Sequence, residues 1–458
     1  MTPAARLQAA IDVLDGLAAT GLPADRFLRD YFRARRYAGS KDRAAVAERV
    51  FAIFHAWYSF AWRMKGDAPR RLAIASLLAE GTAPETLFTG APYAPAALTA
   101  EEISAISAPP CAEAPLHVQG EFPAWLESDL RRAFGPDLLP EMQALHARAA
   151  IDLRANTLKT TQADLAAALG AEGFATQPTP HAPNGLRLPS GAGSANLSKS
   201  PLFAAGLFEF QDEAAQIAAL LCAAKPGMCV LDFAAGAGGK ALALAAAMEN
   251  QGEIVARDTD PLRLSQLSPR ALRASATIIR PGAFDGPFDR VLLDSPCSGT
   301  GTWRRQPELR VRLTPERLAG LTALQARLLE DAAAQVAPGG RLVYATCSLL
   351  PAENEDQIAR FLAANTAFAP LSAAEIWQTE TGRPPPPGMD TFFRASPLRS
   401  GSDGFFTAIL QHSRESAPES HKTGLSSPAS ADRDAIHARE GDPAICGSAR
   451  SQQPSGKS

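Results

Sequence analysis

The sequence predicts an α/β protein whose C-terminal half is a doubly wound sheet, preceded by a small α+β segment and an all-helical front. Three observations carry this. From Met228 onward, short apolar runs alternate with helix-patterned stretches: MCVLDF, GEIVARD, ATIIRP, DRVLLDS and RLVYATCS. That alternation implies right-handed β-α-β crossovers and a mainly parallel sheet. A glycine-rich turn, Gly236-Ala237-Gly238-Gly239, follows the first of these strands and opens an alanine-rich helix. Two cysteines 50 residues apart, Cys297 and Cys347, close the fourth and fifth strands. Neighbouring strands lie roughly 5 Å apart, and functional groups of parallel sheets collect beyond their carboxyl ends. Two thiols distant in sequence would then face one substrate. The competing reading is a pair of core cysteines, since free Cys is often fully buried.

The rest of the chain sorts in order. At 458 residues it should hold two or three domains. Residues 1–108 read as helical, with apolar residues at helical spacing in LQAAIDVLDGLAA and RAAVAERVFAIFHAWYSFAW. Trp57, Tyr58, Phe60 and Trp62 in the second stretch read as helical core rather than as an RNA platform. Pro/Ala-rich sequence near 91–115 reads as a linker. Residues 120–225 mix helix patterns (PAWLESDLRRAF, QADLAAALGAEGF) with a strand candidate, IDLRANTLK. Residues 226–412 hold the doubly wound sheet, with FFTAIL at 405–410 as its last strand. Residues 413–458 contain ten serines and no aromatic, so disorder is expected there.

Composition excludes several classes. A net charge of −3 gives no global pull towards nucleic acid, but residues 1–65 carry 11 Lys/Arg against six Asp/Glu. Six cysteines without CxxC or Cys/His spacing indicate neither zinc nor a disulfide framework, so no metal is expected. The N-terminus lacks an apolar signal core, and no apolar run approaches the roughly 18 residues of a membrane span. A cytoplasmic, membrane-free monomer is expected.

Small residues in the glycine turn let the backbone curl around a ligand, and the following helix offers unpaired N–H groups. Asp258 ends the next strand, 22 residues after Gly236, where a carboxylate can accept both hydroxyls of a ribose. Alone, the turn suits a dinucleotide, a nucleoside-type methyl donor or merely a tight turn. It has no Walker lysine-serine pair, which argues against a P-loop. A nicotinamide dehydrogenase has no need of the DSPCSGTG that follows the fourth strand.

Those motifs carry a family likeness. DSPCSGTG (294–301), YATCS with PAENE behind it (344–355) and LDFAAGAGGK (231–240) resemble the RsmB/Sun family of RNA 5-methylcytosine methyltransferases. LRANTLK (153–159), FEFQDEAAQ (208–216) and DGFF (403–406) support the likeness over about residues 120–412. Residues 1–65 resemble the NusB-like RNA-binding helical domain at the front of bacterial members. The resemblance implies a class I Rossmann-like methyltransferase domain, S-adenosyl-L-methionine as donor, and a cytosine in RNA, ribosomal RNA by analogy, as acceptor. It makes Cys347 the nucleophile towards cytosine C6 and Cys297 the residue that assists release. Asp294 would hold the cytosine edge and also border the cofactor.

The cofactor-binding set is then Ala234, Ala235, Gly236, Ala237, Gly238, Gly239, Lys240, Asp258 and Asp294. Arg304 and Arg305, after Trp303, are expected to meet phosphates or stack on a base, and Lys159 to touch RNA phosphate. Glu353, Asn354 and Glu355 open the helix after Cys347 and suit its positive end. This chain departs from the family's DxCAAPGGKT turn: Ala234 replaces Cys and Ala237 replaces Pro. An Asp expected after the third strand is replaced by Ala283, with Asp285 as a substitute. The altered turn keeps a second reading open, a catalytically silent RNA-binding ribosome assembly factor.

Overall fold

The helical spacing of the front is realised in α1 (Pro3–Ala18), α2 (Ala24–Arg33), α3 (Ser40–His55), α4 (Trp57–Met64) and α5 (Pro69–Ala79). Thr2 caps α1 by accepting from the Ala5 amide at 3.1 Å, and Pro3 occupies the first turn, where no N–H is needed. Leu7, Ala10, Leu14 and Leu17 recur on its buried face and meet Val46, Val50 and Ile53 of α3 and Leu72 and Leu77 of α5. Trp57 and Phe60 join this core, while Trp62 stays 40% exposed. This computed structural model describes residues 1–108, 113–189, 194–283 and 286–414. Asp285 and the serine-rich tail after Arg414 lie outside the described residues.

Next comes a small antiparallel sheet of β1 (Ile151–Ala155), β2 (Gln177–Pro178), β3 (Gly185–Leu188) and β4 (Phe208–Phe210), in the order β2-β3-β1-β4. Leu153, Leu186 and Phe208 on one face pack against Leu165 and Leu169 of the helix Gln162–Ala171.

The large sheet holds β5 (Cys229–Asp232), β6 (Glu253–Ala256), β7 (Ile279–Pro281), β8 (Phe288–Asp294), β9 (Val336–Thr346), β10 (Phe368–Leu371), β11 (Phe393–Ala395) and β12 (Phe405–His412). Its order is β10-β12-β9-β8-β5-β6-β7, with β11 paired to β12. β5 to β9 run parallel, while β12 runs antiparallel to β9. Both faces are buried, which is why these strands read as continuous apolar runs. Val230, Leu292 and Val343 face the helices Glu213–Leu221 and Gly239–Ala247; Leu231, Val291, Leu293 and Tyr344 face Pro315–Ala333 and Glu355–Ala364. The chain winds outward through β6 and β7, then returns to add β8 on the other side of β5. That reversal opens a crevice above the carboxyl ends of β5 and β8.

A short helix, Glu308–Arg312, joins the front to the sheet. Glu308 Oε1 accepts from the Ala24 amide at the start of α2 at 3.1 Å, and Arg312 donates to the Leu22 carbonyl at 2.7 Å. Arg310, fully buried, lies over the Trp303 ring at 5.3 Å, and its carbonyl accepts from the Tyr58 hydroxyl at 3.1 Å. The amides of Tyr58 and Ser59, in the first turn of α4, donate to the Glu121 carboxylate at 2.8 and 3.1 Å, the expected home for an acid.

Candidate active site

The glycine turn leaves β5 at Asp232 and reaches the helix Gly239–Ala247 through Gly236 (φ 55°) and Gly238 (φ 86°). The positive φ of Gly238 favours glycine, and a Cβ there would also meet the buried Leu267 Cδ1 at 2.0 Å and displace that side chain. The Gly236 amide donates to Asp258 Oδ2 at 2.7 Å, and Asp258 Oδ1 accepts from the Asp260 amide at 2.7 Å. Beside the turn is a cavity of about 230 Å³ lined by Asp232, Ala234, Ala235, Ala237, Gly239, Lys240 and Asp294 among others. Asp258 is not on its wall; it braces the turn beside the cavity by holding the Gly236 amide.

Charge in this cavity is uneven. Asp232 is fully buried, and neither carboxylate oxygen has a hydrogen-bond partner among the described residues. Burial pushes it up to about 7, an effect that nearby Lys240 only partly offsets. Lys240 Nζ pairs with Asp294 Oδ2 at 2.6 Å and lies 5.2 Å from the Phe405 ring centre. Burial pulls Lys240 down, but the Asp294 carboxylate, with Asp232 and Cys347 behind it, more than restores it.

The register Asp294↔Ala345 sets the ends of β8 and β9 side by side, and the loops beyond bring Cys297 Sγ to 3.4 Å from Cys347 Sγ. The hydrogen bond to Cys347, helped by burial, pushes the Cys297 thiol well above its ordinary range. A buried carboxylate ties the two loops together. Glu353 accepts from the Ser298 amide (2.8 Å), the Ser298 hydroxyl (2.5 Å), the Ser348 hydroxyl (2.5 Å) and Gln325 Nε2 (2.9 Å). Gln325 also donates to the Pro296 carbonyl at 2.9 Å. Asn354 accepts from the Thr346 hydroxyl and donates to the Ser348 carbonyl. The Gly301 amide donates to the Cys347 carbonyl at 3.0 Å and the Gly404 amide to the Gly301 carbonyl at 2.9 Å. A Cβ on Gly301 would meet Gly404 O at 2.2 Å, so PCSGTG, TCS and DGFF close on one another only through glycine.

The three cations expected to meet RNA each have partners within the protein, Arg304 buried and Lys159 exposed. Arg304 is 8% exposed and bonds through Nε to Asp403. Arg305 pairs with Asp403 at 2.5 Å and Asp212 at 3.1 Å, leaving a third of its side chain exposed. Lys159 Nζ donates to the carbonyls of Ala205 (2.8 Å) and Arg273 (2.6 Å). In Arg304 and Lys159 the cationic group is directed at the fold itself, at partners between 46 and 114 residues away. Local sequence carries no sign of such distant pairing. Gln325 was missed for the same reason: nothing in a 19-residue amphipathic helix marks one glutamine as the link between two loops.

Cys222, Cys229, Cys297 and Cys347 form no disulfide, and no cluster of metal-ligating side chains occurs among the described residues. No helix of the described residues is long and apolar enough to cross a membrane.

The chain is similar to known proteins. Residues 219–411 match the family described as 16S rRNA methyltransferase RsmB/F, and residues 122–193 match the ferredoxin-like domain of RsmF/B-like proteins. A Synechocystis protein described as a probable ribosomal RNA small subunit methyltransferase B is 36% identical over 306 residues, covering 64% of this chain and 67% of its own. The ribosomal RNA small subunit methyltransferase B of Salmonella paratyphi B is 35% identical over 297 residues, 63% of this chain and 66% of its own. The aligned stretch thus spans about two thirds of these relatives. Among solved structures, PH0851 superposes with a TM-score of 0.69 at 25% identity, covering 90% of this chain and 99% of its own. A methyltransferase homologue from Pyrococcus horikoshii gives 0.56 at 27% identity over 65% of this chain and 97% of its own. The chain belongs to the RsmB/F family of ribosomal RNA methyltransferases.

Proposed function

We propose that this protein methylates C5 of a cytosine in RNA, small-subunit ribosomal RNA by kinship, with S-adenosylmethionine as donor and a covalent adduct between Cys347 and cytosine C6 as intermediate. The observation that carries the reading is the meeting of two thiols at 3.4 Å, next to the Lys240–Asp294 pair and the glycine-turn cavity. Cytosine C5 is a poor nucleophile. A sulfur that gives its electron pair to C6 saturates the 5,6 bond and loads C5 with electron density. The methyl donor, when bound, supplies an electrophilic methyl group to that carbon. The C5 proton must then leave, and the 5,6 bond reforms as Cys347 departs with its electron pair.

The residues divide these tasks. Cys297, held protonated by its partner and by burial, leaves Cys347 as the attacking sulfur, and it stands where the departing sulfur can be assisted. Asp294 can accept from the exocyclic amine of cytosine, and Lys240 orients that carboxylate. The cavity fits the donor. Asp232, buried and without a partner, suits an ammonium group. Each oxygen of Asp258 keeps a lone pair for a ribose hydroxyl beyond the one used by a backbone amide.

The test is incubation of the purified protein with unmodified small-subunit ribosomal RNA and methyl-labelled donor, followed by nucleoside mass spectrometry. Label in 5-methylcytidine is expected. Label in any other nucleoside would end the C5 assignment, and no label with intact RNA would favour the silent assembly factor.

A further inference from the structure

The glycine turn between Ala234 and Lys240 contains no proline. Ala237 stands in place of the family's proline, between Gly236 (φ 55°) and Gly238 (φ 86°). Glycines on both sides of an alanine raise the entropy lost when the segment orders, and a proline would have removed part of that loss in advance. The turn is braced from two directions. From the β6 side, the Arg257 carbonyl receives the Ala235 amide at 2.8 Å and Asp258 receives the Gly236 amide at 2.7 Å. From the opposite side, Arg270 on the helix Leu267–Ala274 donates through Nη1 to the Ala237 carbonyl at 2.7 Å.

Arg270 is itself fixed. Its Nη2 donates to Glu209 Oε2 at 2.8 Å, and the other oxygen of Glu209 is held by Arg273. Glu209 lies on β4, 4% exposed. A planar guanidinium clamped at one end by a buried carboxylate presents its other N–H in a set direction, which a lysine could not do. We propose that Arg270, oriented by Glu209, is a positioning residue for the methyl donor: it holds the Ala235–Gly239 turn in its receiving conformation in place of the missing proline, and couples the cofactor cavity to the four-stranded sheet. This rests on the cofactor reading above.

Arg270 also borders the cavity, so a direct contact with the donor's carboxylate is the competing account, and the experiment separates the two. Calorimetry measures binding of S-adenosylhomocysteine and of 5′-methylthioadenosine, which lacks the amino-acid end, to the full chain. Loss of one charge-assisted hydrogen bond in Arg270→Ala should weaken both ligands about tenfold. Ala237→Pro in the Arg270→Ala background should recover most of that loss. The residue can accept the change: its φ is not in the left-handed region, and its amide makes no hydrogen bond among the described residues. Arg270→Gln, which keeps the packing and an N–H donor but not the fork, serves if the alanine variant does not fold; it should weaken both ligands alike.

Unchanged affinity in these variants overturns the inference. So does a loss confined to S-adenosylhomocysteine, which would mean direct contact, or a loss shared by both ligands that Ala237→Pro leaves in place. If the unaltered protein binds neither ligand, the cofactor reading falls and this inference with it.

Discussion

Glu353 is the residue on which both cysteine loops converge, with four hydrogen bonds into a fully buried carboxylate. Glu353→Gln keeps the shape but turns one acceptor into a donor facing the hydroxyl of Ser298 or Ser348 or the Gln325 amide. A buried donor left without its acceptor costs about 1–3 kcal/mol. Lower thermal stability and slower methyl transfer are both expected, because the loops that set the 3.4 Å thiol spacing lose their common anchor. Full turnover by this variant would show that the loops keep their geometry without it. The residue scale also shows what the sequence could and could not reveal. Cys297 and Cys347 were readable because each ends an apolar run, and parallel pairing then fixes where such ends lie. The pairing of Arg304 with Asp403 was not readable, because that partner lies 99 residues downstream.

At the scale of elements, β5, β6, β8 and β9 were legible because both faces of each are buried, giving short apolar runs between turns. β10 and β11 were not. Phe368-Ala369-Pro370-Leu371 contains a proline and is half exposed, as suits an edge, and β11 has only three residues. The junction helix Glu308–Arg312 was also hidden, since two arginines and a glutamate read as surface until the front covers them. Burial beside Arg310 pushes both His55 and His146 down to about 4, whereas an unfolded histidine titrates at 6.5. Between those values the unfolded chain binds more protons. The stabilisation is therefore complete above about pH 6.5 and declines as pH falls towards 4. At pH 5 the loss is about 1 kcal/mol per histidine after discounting for partial exposure. Asp232 and Asp212, raised to about 7, act with the opposite sign, so the histidines must be isolated by substitution. Between pH 7.5 and 5 the His55→Gln/His146→Gln variant should lose less Tm, or gain more, than the unaltered protein. An identical change in Tm would remove the histidines from the account.

The whole molecule carries a net charge of −3, yet its front is basic. Arg26, Arg29 and Arg36, on and just after α2, are exposed, while Arg304 is buried against Asp403 and the exposed Lys159 is engaged by backbone carbonyls. Affinity for RNA should then come from the front. Replacing those three arginines by alanine should weaken binding of ribosomal RNA and flatten its salt dependence by up to about three units of slope. Affinity for S-adenosylhomocysteine should stay the same. An unaltered salt slope would move the RNA contact to another surface. The order of domains along the chain was legible from composition. Their docking was not, because Glu121 with the α4 amides and Glu308 with the α2 amide join residues 62 to 284 positions apart.

The central claim is that two thiols 3.4 Å apart do different work, and one gel addresses it. Cys347→Ala and Cys297→Ala are each incubated with labelled small-subunit ribosomal RNA and methyl donor, then run under denaturing conditions. Cys297→Ala should trap a protein–RNA adduct, since attack and methyl transfer proceed while release stalls; Cys347→Ala should give neither adduct nor methylated RNA. An adduct from Cys347→Ala alone would reverse the two roles, and full turnover by both variants would contradict covalent catalysis by this pair.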